Sequence, residues 1–138
     1  MNSVFLDTSG LIGVVNADDQ WHSQAETVWL ELVSSSVALF TTSLILIELA
    51  DGLSRLRHRE MAIQTIEALR NSDLLTVVQS DAHREAQAWE LYCERVDKEW
   101  GMTDCVSMMV MKEQNIQHAF TADCHFEQAG FHVLLKQN

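Results

Sequence analysis

The apolar positions of this chain follow two rhythms. Short runs of consecutive apolar or β-branched residues occur as "SVFLD" at 3–7, "VALFTT" at 37–42, "LLTVV" at 74–78, "HAFTAD" at 118–123 and "FHVLL" at 131–135. Runs of this kind predict strands buried on both faces. Between them lie stretches with helical spacing. "HSQAETVWLELVSS" at 22–35 carries Ala25, Val28, Trp29, Leu32 and Val33 along one stripe. "SLILIELADGLSRL" at 43–56 starts with Ser43, a good N-cap residue. "REMAIQTIEALRN" at 59–71 places Met61, Ile66 and Leu69 at helical intervals. "SDAHREAQAWELYCERV" at 80–96 is amphipathic, with Ala82, Ala86, Trp89, Cys93 and Val96 on a shared face. "TDCVSMMVMKEQN" at 103–115 is apolar nearly all round, with Thr103 as its cap. Strands separated by helices predict an α/β sandwich with a mostly parallel sheet and right-handed crossovers. No repeat, low-complexity tract or linker interrupts residues 1–138, which read as one domain.

Against that frame the acidic residues stand out. In open parallel sheets, ligands bind beyond the carboxyl ends of the strands. Asp7 ends the first strand and Asp123 the fourth; Glu48 lies little more than one turn into the helix after the second strand. Asp104 falls in the first turn of the last long helix. Two helices separate the third and fourth strands, so one of them must run across the sheet. The neighbours of these acids are apolar. Glu48 sits among Leu44, Ile45, Leu46, Ile47 and Leu49, which argues against a freely solvated acid. Carboxylates gathered in such a setting repel one another and become costly to ionise unless a cation joins them. Asp7 and Asp104 also fit purely local roles as caps or turn formers. All four at one edge point instead to a bound hard cation, Mg²⁺ or Mn²⁺, which prefers carboxylate and water oxygens. Hydroxyls stand beside the acids at Thr8, Ser9, Thr103, Ser107 and Thr121, where they can orient carboxylates or waters.

Charge narrows the picture further. Nine Lys and Arg against 20 Asp and Glu give −11, which disfavours simple attraction to nucleic acid or anionic membrane and favours cations and basic partners. The one compact basic stretch is "RLRHR", 55–59. Arg55, Arg57 and Arg59, with His58, are either a phosphate contact or a solvated helix end, since basic groups suit helix C-termini. The three cysteines, Cys93, Cys105 and Cys124, show neither CxxC nor metal-ligand spacing and are expected in the core. The six histidines form no i, i+4 pair and no HExxH, and His125, although close to Asp123, reads as a surface residue. No apolar run approaches the roughly 20 residues of a membrane helix, and no basic leader precedes the first strand, so the expected location is the cytoplasm.

Four stretches, "FLDTSGLI", "TSLILIEL", "MTDCVSMMVM" and "FTADCHFEQAGF", span nearly the whole chain in a fixed order. Together with the T-x-D-x-x-F pattern of Thr121, Asp123 and Phe126, they resemble the PIN-domain family of nucleases and, within it, the VapC-type toxins. The resemblance implies a three-layer α/β/α sandwich around a parallel sheet. It also implies a Mg²⁺- or Mn²⁺-dependent endoribonuclease whose acidic cluster corresponds to Asp7, Glu48, Asp104 and Asp123. One departure is Cys105, at a place where such toxins usually carry Ala, and it implies sensitivity of the site to oxidation. The resemblance further implies a basic cognate antitoxin of the VapB kind and a homodimer, to which the apolar faces around "AIQTIEAL" and "MMVMKEQ" could contribute. Rival readings are a catalytically silent PIN-like binding module and a PIN nuclease of RNA processing outside any toxin system. A phosphoacceptor receiver domain fits poorly, because Lys112 lies inside a helix and Lys136 at the extreme end. A dinucleotide-binding fold lacks its GxGxxG.

Overall fold

The computed structural model describes residues 1–137. Its elements run β1 (Ser3–Leu6), α1 (Thr8–Val15), α2 (His22–Ser34), β2 (Ala38–Thr42), α3 (Ser43–Gly52) and α4 (Leu56–Arg70). They continue with β3 (Leu75–Val78), α5 (Ala82–Glu94), α6 (Met102–Glu113), β4 (His118–Phe120), α7 (Cys124–Gln128) and β5 (His132–Val133). The strands form one all-parallel sheet in the order β3-β2-β1-β4-β5. Helix α1 packs on α2, α3 and α4, whereas α6 packs on α5 and α7. With right-handed crossovers these two groups cover opposite faces, so the expected α/β/α sandwich is the observed one. Among the described residues, no helix is long and apolar enough to cross a membrane.

The five expected strands all form, and the central ones are the most deeply buried. Val4, Phe5 and Leu6 of β1 and Ala119 and Phe120 of β4 are fully buried, as a doubly covered parallel strand requires. Helix α6 is buried nearly all round, through Cys105, Val106, Ser107, Met108, Val110 and Met111. Its "MMVM" segment is therefore core and is not free to serve a dimer. Helix α5 departs from the expected face. Ala82, Ala86, Trp89, Cys93 and Val96 all face solvent, and the helix seats itself on Ala88 with Leu91 half-buried. Alanine and aromatic positions fit either face of that stripe, and packing against α6 decided between them. Trp89 instead stacks on Tyr92, with ring centroids 5.2 Å apart. Trp100 is buried, while Trp21 and Trp29 are half-buried against the core. Of the three cysteines expected inside, Cys105 alone is buried, and Cys93 and Cys124 are exposed.

Two caps differ from expectation. The N-cap of α3 is Thr42, whose hydroxyl accepts from the Ile45 amide at 3.2 Å, a contact worth about 1 kcal/mol. Ser43 accepts instead from the Ser80 amide, tying α3 to the segment after β3. Helix α6 begins two residues earlier than expected, with Gly101 at the N-cap, so Thr103 lies inside the first turn and does not cap. The 43–56 helix also stops early, at Gly52, and a new helix starts at Leu56.

Helices α1 and α7 have no counterpart in the hydrophobic pattern. α1 is eight residues long, carries two glycines and is apolar on most sides, so neither propensity nor amphipathicity announces it. Tertiary packing holds it in place. A Cβ on Gly10 would stand 2.2 Å from the Phe120 carbonyl oxygen, and one on Gly13 would stand 2.9 Å from the Ala25 Cβ. The two glycines let α1 lie directly against β4 and α2. Substituting Gly10→Ala is therefore expected to destabilise the protein by about 2–3 kcal/mol, read as a drop in the midpoint of chemical unfolding.

Candidate active site

Strand order reverses between β1 and β4: the chain moves outward from β1 through β2 to β3, then returns to β4 on the other side of β1. The carboxyl ends of β1 and β4 flank the crevice that this reversal opens. A pocket of about 420 Å³ at this point is lined by Asp7, Thr8, Ser9, Ile12, Glu48, Gly52, Asp104 and Asp123. The four acids singled out in the sequence thus share one cavity. Each is positioned by a different turn: Asp7 is the N-cap residue of α1, Asp123 is that of α7, Asp104 is the third residue of α6, and Glu48 lies in the second turn of α3. The helix from which Asp104 projects is the second of the pair joining β3 to β4.

Asp7 is the buried member, 5% exposed. Its Oδ2 accepts from the Thr121 hydroxyl at 2.7 Å. A hydroxyl has one proton, so Thr121, having given its own to Asp7, accepts from Ser9 Oγ at 2.8 Å and from the Asp123 amide at 3.0 Å. Ser9 in turn accepts from the Ala122 amide at 2.9 Å. One relay of hydroxyls therefore ties the ends of β1 and β4 together and aims the Asp7 carboxylate. Thr8 donates to Glu48 Oε1, linking α1 to α3. Three of the five hydroxyls, at Thr8, Ser9 and Thr121, thus contact an acid or each other. Ser107 does not: its Oγ donates to the Thr103 carbonyl at 2.9 Å within α6. Thr103 lies half-buried in the first turn of α6 and does not line the pocket.

Glu48 departs from its expected environment. Its residue is exposed, because Ile45, Leu46 and Leu49 turn the opposite side of α3 inward. Asp104 Oδ2 accepts from the Gly101 amide at 3.1 Å, and Asp123 Oδ1 accepts from the His125 amide at 2.9 Å. The missed residue is His125. It is half-buried, with Nδ1 3.0 Å from Asp104 Oδ2 and 3.3 Å from Asp123 Oδ1. Its position two residues after Asp123 was the available signal, but only the α7 turn brings the ring back over both acids. Cys124 lies beside it and is exposed, whereas burial, helped by the Asp104 charge, pushes the Cys105 thiol above its ordinary range. Both effects disfavour the thiolate, which counts against the expected oxidation sensitivity at Cys105. Arg55, Arg57 and Arg59 lie at the N-terminus of α4, which removes the helix C-terminus reading. There the helix dipole opposes positive charge, and among the described residues no carboxylate pairs with any of the three.

Among the described residues, no Lys or Arg makes a salt bridge to Asp7, Glu48, Asp104 or Asp123. All four offer oxygen donors around one cavity, a set suited to a hard divalent cation. Without one, burial raises the Asp7 carboxyl from 3.8 to about 7; the Thr121 hydrogen bond pulls it down, and the charges of Asp104 and Glu48 push it up. The folded state then keeps a proton that the unfolded chain has lost. This contribution to stability is full below about pH 4 and is lost as pH rises through about 7. In chelator, the melting temperature is expected to fall as pH rises across that interval, and Asp7→Asn should flatten the slope, as read by thermal melts at a series of pH values.

Comparison with known proteins places these features in a family. The chain is 32% identical, over 93% of its length and 95% of the relative's, to the 23S rRNA-specific endonuclease VapC20 of Mycobacterium tuberculosis. The crystal structure of that protein, described as a Sarcin-Ricin loop cleaving toxin, matches with a TM-score of 0.82 at 30% identity, covering 93% of this chain and 95% of that one. VapBC2 from Rickettsia felis, solved bound to a promoter DNA fragment, shares the fold with a TM-score of 0.69 at 16% identity and 99% coverage of both chains. FitAcB from Neisseria gonorrhoeae shares it with a TM-score of 0.65 at 20% identity, covering 94% and 95%. The PIN domain family model matches residues 4–132, and this chain belongs to the PIN-domain family.

Proposed function

We propose that the chain is a Mg²⁺- or Mn²⁺-dependent endoribonuclease, the toxin of a toxin–antitoxin pair. The observation that carries this reading is the pocket at the β1/β4 crevice, in which four acids, one of them buried, converge with no Lys or Arg salt bridge among the described residues. The similarity to a ribosomal-RNA endonuclease supports RNA as the substrate class. When bound, the divalent ion supplies charge neutralisation, polarisation of a phosphate oxygen and a lowered pKa for water. Asp7 and Asp104 are the ligands held most firmly, Asp7 by Thr121 and Asp104 by the Gly101 amide and His125. Asp123, fixed by the His125 amide, completes the set directly or through water. Glu48, at the open rim, is placed either to join the ligand set or to accept a proton from the attacking water.

The exposed Arg55, Arg57 and Arg59, which have no carboxylate partner among the described residues, supply the phosphate contact that a chain of net charge −11 otherwise lacks. A basic antitoxin suits the same net charge. A groove of about 650 Å³, lined by Leu11, Val14, Val15, Trp29, Val33 and Met61 among others, suits the apolar part of such a partner. Self-association falls to the exposed Ile63 side of α4, since the "MMVM" face is core.

Asp7→Asn or Asp104→Asn is expected to lower metal-dependent RNA cleavage by at least about 10²–10³-fold while circular dichroism remains that of the wild type. Wild-type cleavage by either variant would refute the assignment. The Arg55/Arg57/Arg59 triple Ala variant should reduce the slope of log affinity against log salt by about 2, from three phosphates at roughly 0.7 each, in a salt-titrated RNA-binding assay.

A further inference from the structure

We propose that Asp123, Cys124 and His125, together with Asp104, form a zinc site that overlaps the acidic pocket and switches the enzyme off. The proposal rests on the nuclease reading for its consequence but not for its chemistry. One ligand atom from each of Asp123, Cys124 and His125 lies within 4.8 Å of the others. His125 Nδ1 is 3.0 Å from Asp104 Oδ2 and 3.3 Å from Asp123 Oδ1. A tetrahedral Zn²⁺ with ligand bonds of about 2.0–2.1 Å has ligand–ligand edges of about 3.3 Å. Each carboxylate oxygen thus already stands close to one tetrahedral edge from the imidazole nitrogen. Cys124 is exposed and adjoining, with its Sγ within 4.8 Å of the Asp123 and His125 ligand atoms, so a side-chain rotation would carry it toward a further corner at the longer Zn–S distance.

The donor types separate this site from the one proposed for catalysis. Mg²⁺ and Mn²⁺ take oxygen, whereas thiolate and imidazole select a borderline cation, and Zn²⁺ outcompetes Mn²⁺ at mixed-donor sites. The other two thiols are placed elsewhere: Cys105 is buried in α6 and Cys93 lies on α5. Zinc held here would engage Asp104 and Asp123 together, leaving Asp7 and Glu48 too few carboxylates to hold a catalytic ion. The cell's free zinc would then set how much toxin is active.

Cobalt(II) added to the metal-free protein reports the site without RNA. A thiolate ligand gives a near-ultraviolet charge-transfer band, expected for the wild type and for Cys93→Ser, lost in Cys124→Ser, and displaced by one equivalent of Zn²⁺. In Mn²⁺-supported cleavage, Cys124→Ser should match the wild type without zinc and need at least about tenfold more Zn²⁺ for half-inhibition. Absence of the band, or equal zinc sensitivity of the wild type and Cys124→Ser, would overturn the proposal and leave His125 as a hydrogen-bond donor to the two acids. Failure to cleave RNA with any metal would sink the nuclease reading alone, since the cobalt band still decides the site.

Discussion

Everything at the functional edge depends on the buried Asp7 carboxylate and the single chain of hydroxyls that holds it. Asp7 closes β1, the central strand, and Thr121 closes β4, its neighbour across the crevice. The sheet's reversal of direction puts these two ends side by side, with the Asp7 amide on the Phe120 carbonyl at 3.2 Å. A carboxylate in that place is expensive to ionise, and one strong hydrogen bond does not offset its burial. The fold therefore keeps an electrostatic demand that a divalent cation would satisfy.

The same constraint explains the close packing of α1. To start a helix at Asp7 and still leave room for the Thr121 relay, α1 must lie on the β4 backbone, which Gly10 permits. The first turn of α1 then delivers Thr8 to Glu48 and Ser9 to Thr121, so one short helix positions two of the acids through two consecutive hydroxyls. Asp104 and Asp123 are organised separately, through the α6 capping interaction and the α7 turn, and His125 joins them. The acids of the pocket are thus held in two ways: Asp7 and Glu48 by hydroxyls, Asp104 and Asp123 by backbone amides with His125 beside them.

Its electrostatic design is also uneven over the surface. The acidic cavity belongs to a chain with a large net negative charge, yet three arginines with no carboxylate partner among the described residues stand at the N-terminus of α4, where the helix field opposes them. That arrangement does not favour the helix, and an anionic ligand would relieve it.

The strands and the long helices could be read from the sequence because burial on both faces, or on one stripe, leaves a period in the hydrophobic pattern. The acids could be read because Asp7 and Asp123 follow strand ends and Glu48 and Asp104 lie in the opening turns of helices, the edge where a parallel sheet presents its ligands. The α1 and α7 helices could not, since glycine-rich or single-turn segments have no period and are held by contacts remote in sequence. Nor could the solvent-facing side of α5, the exposure of Glu48, or the meeting of His125 with Asp104. Helical spacing says which residues share a face, but only the packing of one element on another says which face is covered and whose side chains meet across the gap.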